Sequence, residues 1–66
     1  MDNTDWNDIM IQIKIKKVKE RLKNDTIAKA VGLSSNHVSS VINGYIVSIP
    51  ARKKICEFLG IKYIAQ

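Results

Sequence analysis

The sequence predicts an all-α protein, a compact bundle of four to five short helices. Three observations carry that expectation. Apolar residues recur at helical spacing along most of the chain. Gly32, Gly44 and Gly60 stand where three of those periodic stretches stop, as glycines do at helix C-termini. The apolar share is 45 % of 66 residues, which suits one small folded domain over residues 1–66.

The first helix is expected over about 5–23. Ile11, Ile15, Val18 and Leu22 recur at i, i+4, i+7 and i+11 and form its expected buried face. The string Ile11-Gln12-Ile13-Lys14-Ile15 also alternates as a strand would, but the strand period stops there and the helical one continues to Leu22. Thr4, Asp5 or Asn7 can cap its start, and acids there suit the helix dipole. Trp6 and Ile9 are expected to fold back as a lid over the core.

A second helix is expected over about 25–32, with Ile27, Ala28 and Val31 inward, Gly32 at its end and Leu33 turned into the core. Ser34 is a suitable N-cap for a third helix over about 35–43, which buries Val38, Val41, Ile42 and, on one reading, Tyr45. Asn43-Gly44 stops it. Ser48 as cap and Pro50 in the first turn open a fourth helix over about 49–59, with Ile55, Cys56, Phe58 and Leu59 as its apolar face. Residues 60–66 form a short apolar tail.

Charge and composition exclude several classes. The formal net charge is +5. Six bases lie between Lys14 and Lys23 (Lys14, Lys16, Lys17, Lys19, Arg21, Lys23) against one acid, and Arg52, Lys53 and Lys54 form a second cluster. Such clusters suit a polyanionic partner or a solvated face. One cysteine excludes an internal disulfide, and Cys56 with His37 alone makes no structural zinc site, so Cys56 reads as a small apolar side chain. His37 has no evident nucleophile or carboxylate partner, and no Gly-rich phosphate loop is present, so neither an enzyme nor a cofactor nor a small-molecule substrate is expected. No apolar run reaches a membrane-spanning length, and the acidic start lacks the layout of a signal peptide, so the cytoplasm is the expected compartment.

Ala28, Gly32, Val38 and Val41 have the spacing of a helix-turn-helix: a small residue where the next helix crosses, a glycine for the turn, and two apolar residues that seat the second helix on the first. On the opposite side of that second helix, Asn36, Ser39, Ser40 and Asn43 recur at i, i+3, i+4 and i+7. They are short, polar and uncharged, where an ordinary solvated face would carry Lys and Glu. Residues 30–51 contain no Asp, Glu, Lys or Arg, while charge flanks them on both sides. Small hydrogen-bonding side chains allow close approach to base edges, and flanking bases suit phosphates.

The stretch Thr26-Ile27-Ala28-Lys29-Ala30-Val31-Gly32-Leu33-Ser34, continued by Val38-Ser39-Ser40-Val41-Ile42-Asn43-Gly44, resembles the Cro/repressor (XRE-type) class of phage regulators. The resemblance covers residues 14–61. It implies the lambda-repressor-like fold, double-stranded DNA as partner and a homodimer on a near-palindromic operator. It also implies base contacts from Ser35, Asn36, Ser39, Ser40 and Asn43. Expected phosphate contacts are Asn24, Thr26, Ser34, Tyr45, Arg52 and Lys53. Val38-Ser39, Val41, Asn43-Gly44, Val47-Ser48, Arg52 and Ile55 also resemble the headpiece of the Lac-repressor class. There, however, the motif lies at the N-terminus, whereas a full helix precedes it here.

The tail residues Leu59, Ile61, Tyr63 and Ile64 are more apolar than a solvated tail needs, and a two-fold contact is expected there. The alternative is that Ile61 and Ile64 close the core. A protein-interaction bundle of the anti-repressor or antitoxin kind, or a basic first helix lying on a membrane surface, would leave the Ser/Asn face of the third helix unexplained.

Overall fold

Each helix begins and ends on local chemistry that also sets how the next one leaves it. The computed structural model describes residues 6–63, which form α1 (Trp6–Glu20), α2 (Asn24–Val31), α3 (Ser35–Ile42) and α4 (Ile49–Leu59), with no strand among the described residues. The all-α expectation holds, with four helices.

The helix ends follow one scheme. Gly32, Gly44 and Gly60 all have positive φ. At Gly32 (φ 76°), the N–H of Leu33 reaches back to the carbonyl of Ala28 at 2.9 Å. At Gly60 (φ 71°), Ile61 does the same to Cys56 at 2.9 Å. This left-handed exit satisfies helix carbonyls that would otherwise lack donors, and it swings the next apolar side chain back onto the core. Leu33 and Ile61 accordingly pack against it, half-buried. The space around a built Gly32 Cβ is open, so the backbone angle, not crowding, requires glycine there.

α1 ends in the same way but without a glycine. Arg21 takes φ 53°, its N–H donates to Val18 at 3.3 Å, and Leu22 donates to the Lys17 carbonyl at 2.8 Å. The helix therefore stops at Glu20, short of the expected residue 23. The starts of α3 and α4 follow the sequence reading. Ser34 Oγ accepts from the His37 N–H at 3.1 Å, and Ser48 Oγ accepts from Ala51 at 3.4 Å with Pro50 in the first turn.

The core draws on all four helices: Trp6, Ile9 and Ile13 of α1; Ile27 and Ala28 of α2; Val38, Val41 and Ile42 of α3; Ala51, Ile55, Cys56 and Leu59 of α4. Val31 of α2 is half-buried against it. α2 and α3 share the most extensive contact of any helix pair, and α4 touches each of the other three. Trp6 ties α1 to the end of α3. Its indole N–H donates to the carbonyls of Val41 and Ile42, both at 3.1 Å. Its ring meets Tyr63 edge-on at 5.4 Å between centroids, and the Arg52 guanidinium lies 4.3 Å from its centroid.

The expected inner face of α1 is corrected. Ile11, Ile15 and Val18 are 54 %, 54 % and 79 % exposed, and only Leu22 of that set packs against the core. Trp6, Ile9 and Ile13 are buried instead. On a helix of 3.6 residues per turn, Ile9 and Ile13 stand opposite Ile11, Ile15 and Val18, so α1 carries two apolar stripes and the bundle takes the one led by tryptophan. Phe58, expected inside, is also substantially exposed, while Ala51 takes a core position on α4.

Candidate nucleic-acid interface

α3 is a two-faced helix of eight residues. Val38, Val41 and Ile42 are buried, and they fix its rotation about its own axis against α2 and α4. That rotation turns Asn36 and Asn43 fully outward and leaves Ser35, Ser39 and Ser40 half-buried along the edges of the same outer surface. Asn43 Nδ2 donates to Ser39 Oγ at 3.3 Å, one helical turn back. This bond leaves the Asn43 amide oxygen and its second N–H for another partner, so the pair can offer a donor and an acceptor side by side. His37 lies half-buried beside this face, its backbone N–H held by Ser34.

The electrostatics of the surface follow from the sequence. No Asp, Glu, Lys or Arg lies from Ala30 to Ala51, so the face is neutral at every position that α3 can present. Exposed cations stand on the elements to either side: Lys23 before α2, Lys29 on α2, and Lys53 and Lys54 on α4. After α3 the chain projects an apolar segment, of which the sequence reading named Tyr45 and Val47 but not Ile46. Tyr45 is 83 % exposed, and Ile46 and Val47 are exposed beside it. The Tyr45 side chain is therefore not a core residue. The available sequence signal was Gly44, whose positive φ turns the chain away from the bundle.

The other expected contact residues are dispersed. Asn24 is half-buried, and its Oδ1 accepts from Lys17 Nζ at 2.6 Å, which ties the first turn of α2 to α1. Thr26 and Lys53 are exposed. Ser34 is exposed, with its oxygen engaged as the α3 cap. Arg52, expected at a phosphate, instead lies with its guanidinium over Trp6 and its Nε buried without a hydrogen-bond partner, a packing position rather than an outward one.

The tail also departs from expectation. Leu59 is 3 % exposed and belongs to the protomer's own core, so it is not an outward dimer contact. Tyr63 packs on Trp6, and Ile61 is half-buried against the core. Ile64 lies outside the described residues. The reason is geometric: the turn at Gly60 sends the chain back along the bundle, where the indole of Trp6 offers an apolar wall.

Cys56 is buried, and burial pushes its thiol from the ordinary 9.0 up to about 11, with the Arg52 charge pulling weakly the other way. A thiol held in that state is a packing residue and not a nucleophile at neutral pH. Among the described residues, no group of three His, Cys, Asp or Glu side chains lies close enough to hold a metal ion. No helix among them is long and apolar enough to cross a membrane.

No protein-family model, curated protein or solved structure matches this chain.

Proposed function

We propose that this chain is a sequence-specific double-stranded DNA-binding regulator, a small cytoplasmic repressor of the phage or prophage kind. In this reading α2 and α3 form a helix-turn-helix, and α3 enters the major groove. The observation that carries it is the outer face of α3: Asn36, Ser39, Ser40 and Asn43 in one row, uncharged and short, with cations only on the flanking elements. A solvated helix gains nothing from such a row. A helix seated in a groove needs it, because long charged side chains would hold the backbone away from the base edges. Asn36 and Asn43 suit bidentate pairing with adenine. Ser35, Ser39 and Ser40 suit single bonds to bases or sugar–phosphate.

Ala28 supports the same reading. It is buried on α2, the helix on which α3 packs most extensively, so the small side chain allows a close crossing. Thr26, Tyr45 and Lys53 are the exposed candidates for phosphate contact, and the exposed Lys29 of α2 joins them. One recognition helix reads only a few base pairs, so two copies on an inverted repeat are proposed, with half-sites about 10 base pairs apart.

The experiment is selection from a random double-stranded DNA pool, followed by gel shifts of the enriched site at low and moderate salt. The expected result is an enriched inverted repeat whose binding weakens steeply with salt. A pool without enrichment, or binding indifferent to salt, refutes the proposal.

A further inference from the structure

α1 buries one apolar stripe and exposes a second. Ile11, Ile15 and Val18 stand at i, i+4 and i+7 on the side opposite Ile9 and Ile13, each more than half exposed. Beside them, Gln12, Ile15, Lys16 and Lys19 line one wall of a groove of about 310 Å³ whose other wall is Leu59, Gly60, Ile61 and Lys62. Of the tail that the sequence suggested as an interface, Leu59, Ile61 and Tyr63 pack on the core, whereas this face is an ordered row of branched apolar side chains that the fold leaves uncovered.

The charges along α1 indicate what covers it. Its first turn carries Asp8, and its second half carries Lys14, Lys16, Lys17 and Lys19. Lys16 is satisfied by Glu20 at 3.0 Å, and Lys17 by Asn24. Asp8 and Lys19 lie on the same edge of the exposed stripe, one toward each end. When two such helices pack antiparallel, like edges face each other, so Asp8 of one copy meets Lys19 of the other, twice per dimer. Parallel packing would set each edge against the opposite edge of the partner at equal height, so Asp8 and Lys19 would not meet. A uniformly acidic partner or an anionic lipid surface would attract Lys14 and Lys19 but meet Asp8 with like charge, whereas a second antiparallel copy matches both Asp8 and Lys19.

From these features we infer that the exposed face of α1 pairs with the same face of a second copy of this chain, antiparallel, across a two-fold axis. Ile11 of each copy packs near Val18 of the other, and the two Ile15 side chains meet near the axis. Lys14 also approaches its own copy there, and its long side chain reaches solvent past the stripe. The contact is one short helix per copy, below the roughly 1,200–2,000 Å² of stable interfaces, so the free dimer is weak and depends on protein concentration. The inference does not depend on what α3 binds.

The test is sedimentation equilibrium of the protein without DNA, from micromolar to about millimolar concentration, the range in which a small interface associates. The wild type is expected to approach twice the chain mass. Val18→Glu, at the most exposed position of the stripe, is expected to stay monomeric with an unchanged helical spectrum. Asp8→Lys and Lys19→Glu should each weaken the dimer about tenfold, from two exposed ion pairs lost and replaced by repulsion. Mixed together, those two variants should form the heterodimer in preference to either homodimer, since both edges then pair opposite charges. A wild type that remains monomeric throughout, a dimer indifferent to Val18→Glu, or mixed variants without preference overturns the inference. So does a monomeric wild type that pellets with anionic vesicles through Val18. A monomer that still selects a DNA half-site would remove this inference and leave the DNA reading standing. A dimer that selects no DNA would do the reverse.

Discussion

Replacing Trp6 by Phe should loosen the bundle where α1 meets α3. The indole N–H serves two carbonyls at the end of α3, Val41 and Ile42, both at 3.1 Å. Phe keeps most of the apolar area but cannot donate. The net loss of one buried hydrogen bond is about 1 kcal/mol. Val41 keeps the Gly44 N–H at 3.2 Å, whereas Ile42 loses its indole donor, which adds to that loss. The smaller ring also holds the Arg52 guanidinium, now 4.3 Å from the indole centroid, less strongly, for a further loss of about 0.5 kcal/mol. The sum is about 2 kcal/mol. A chain of 66 residues has about 3–10 kcal/mol of stability in all. At about 4–8 °C per kcal/mol for a domain of this size, the midpoint should fall by about 8–16 °C. Thermal unfolding followed by far-UV circular dichroism measures it. Arg52→Met should cost less, because it keeps an apolar stem over the ring and removes a buried Nε that has no partner. The two changes together should be non-additive by about 0.5 kcal/mol. A Trp6→Phe midpoint within about 2 °C of wild type would refute the assignment of Trp6 as the tie between α1 and α3.

Other outcomes follow from the local geometry. Gly32→Ala meets open space but a φ of 76°, so it should lower stability by about 1–2 kcal/mol through backbone strain alone, and urea titration should show an unchanged slope. Ser34→Ala removes the α3 cap and should cost about 1 kcal/mol, recovered by Ser34→Asp. Asn36→Ala and Asn43→Ala should melt like wild type yet lose about 1–3 kcal/mol of preference for the selected site, whereas Lys53→Ala should weaken binding to all sequences alike. Equal selectivity in both asparagine variants would remove α3 as the reading helix. The Cys56 thiol, raised to about 11, stays protonated in the folded state above the ordinary 9.0, so its contribution to stability is complete below pH 9.0 and lost as pH rises toward 11. Iodoacetamide should therefore label Cys56 at pH 8 only in denaturant, and Cys56→Ala should flatten the fall of the melting midpoint between pH 9 and 11. Rapid labelling of the folded protein at pH 8 would contradict the buried, raised thiol.

Helix stops and starts were legible because they are local. Ser34 and Ser48 cap through their own next turn, and Gly32, Gly44 and Gly60 supply positive φ that other residues rarely take. The inner face of α3 was equally legible, since only one of its sides is apolar. The outer row Asn36, Ser39, Ser40 and Asn43 follows from the same rotation. The stop of α1 was not legible, because Arg21 takes a left-handed angle that its residue type does not announce.

Tertiary structure alone chose between the two apolar stripes of α1. Both have helical spacing, and the longer aliphatic one, Ile11, Ile15, Val18 and Leu22, is the more regular in sequence. The shorter one wins because Trp6 brings a large ring and an N–H that meets α3 carbonyls 35 and 36 residues away, a match that no local pattern encodes. The tail follows the same logic. Leu59 and Tyr63 are apolar whether they face a second copy or their own core, and the Trp6 ring, placed by that choice, turns Tyr63 inward. Burial is driven by area and has no direction of its own. The sequence determines that a helix has an apolar side, whereas the partners that reach it from far along the chain determine which side is covered.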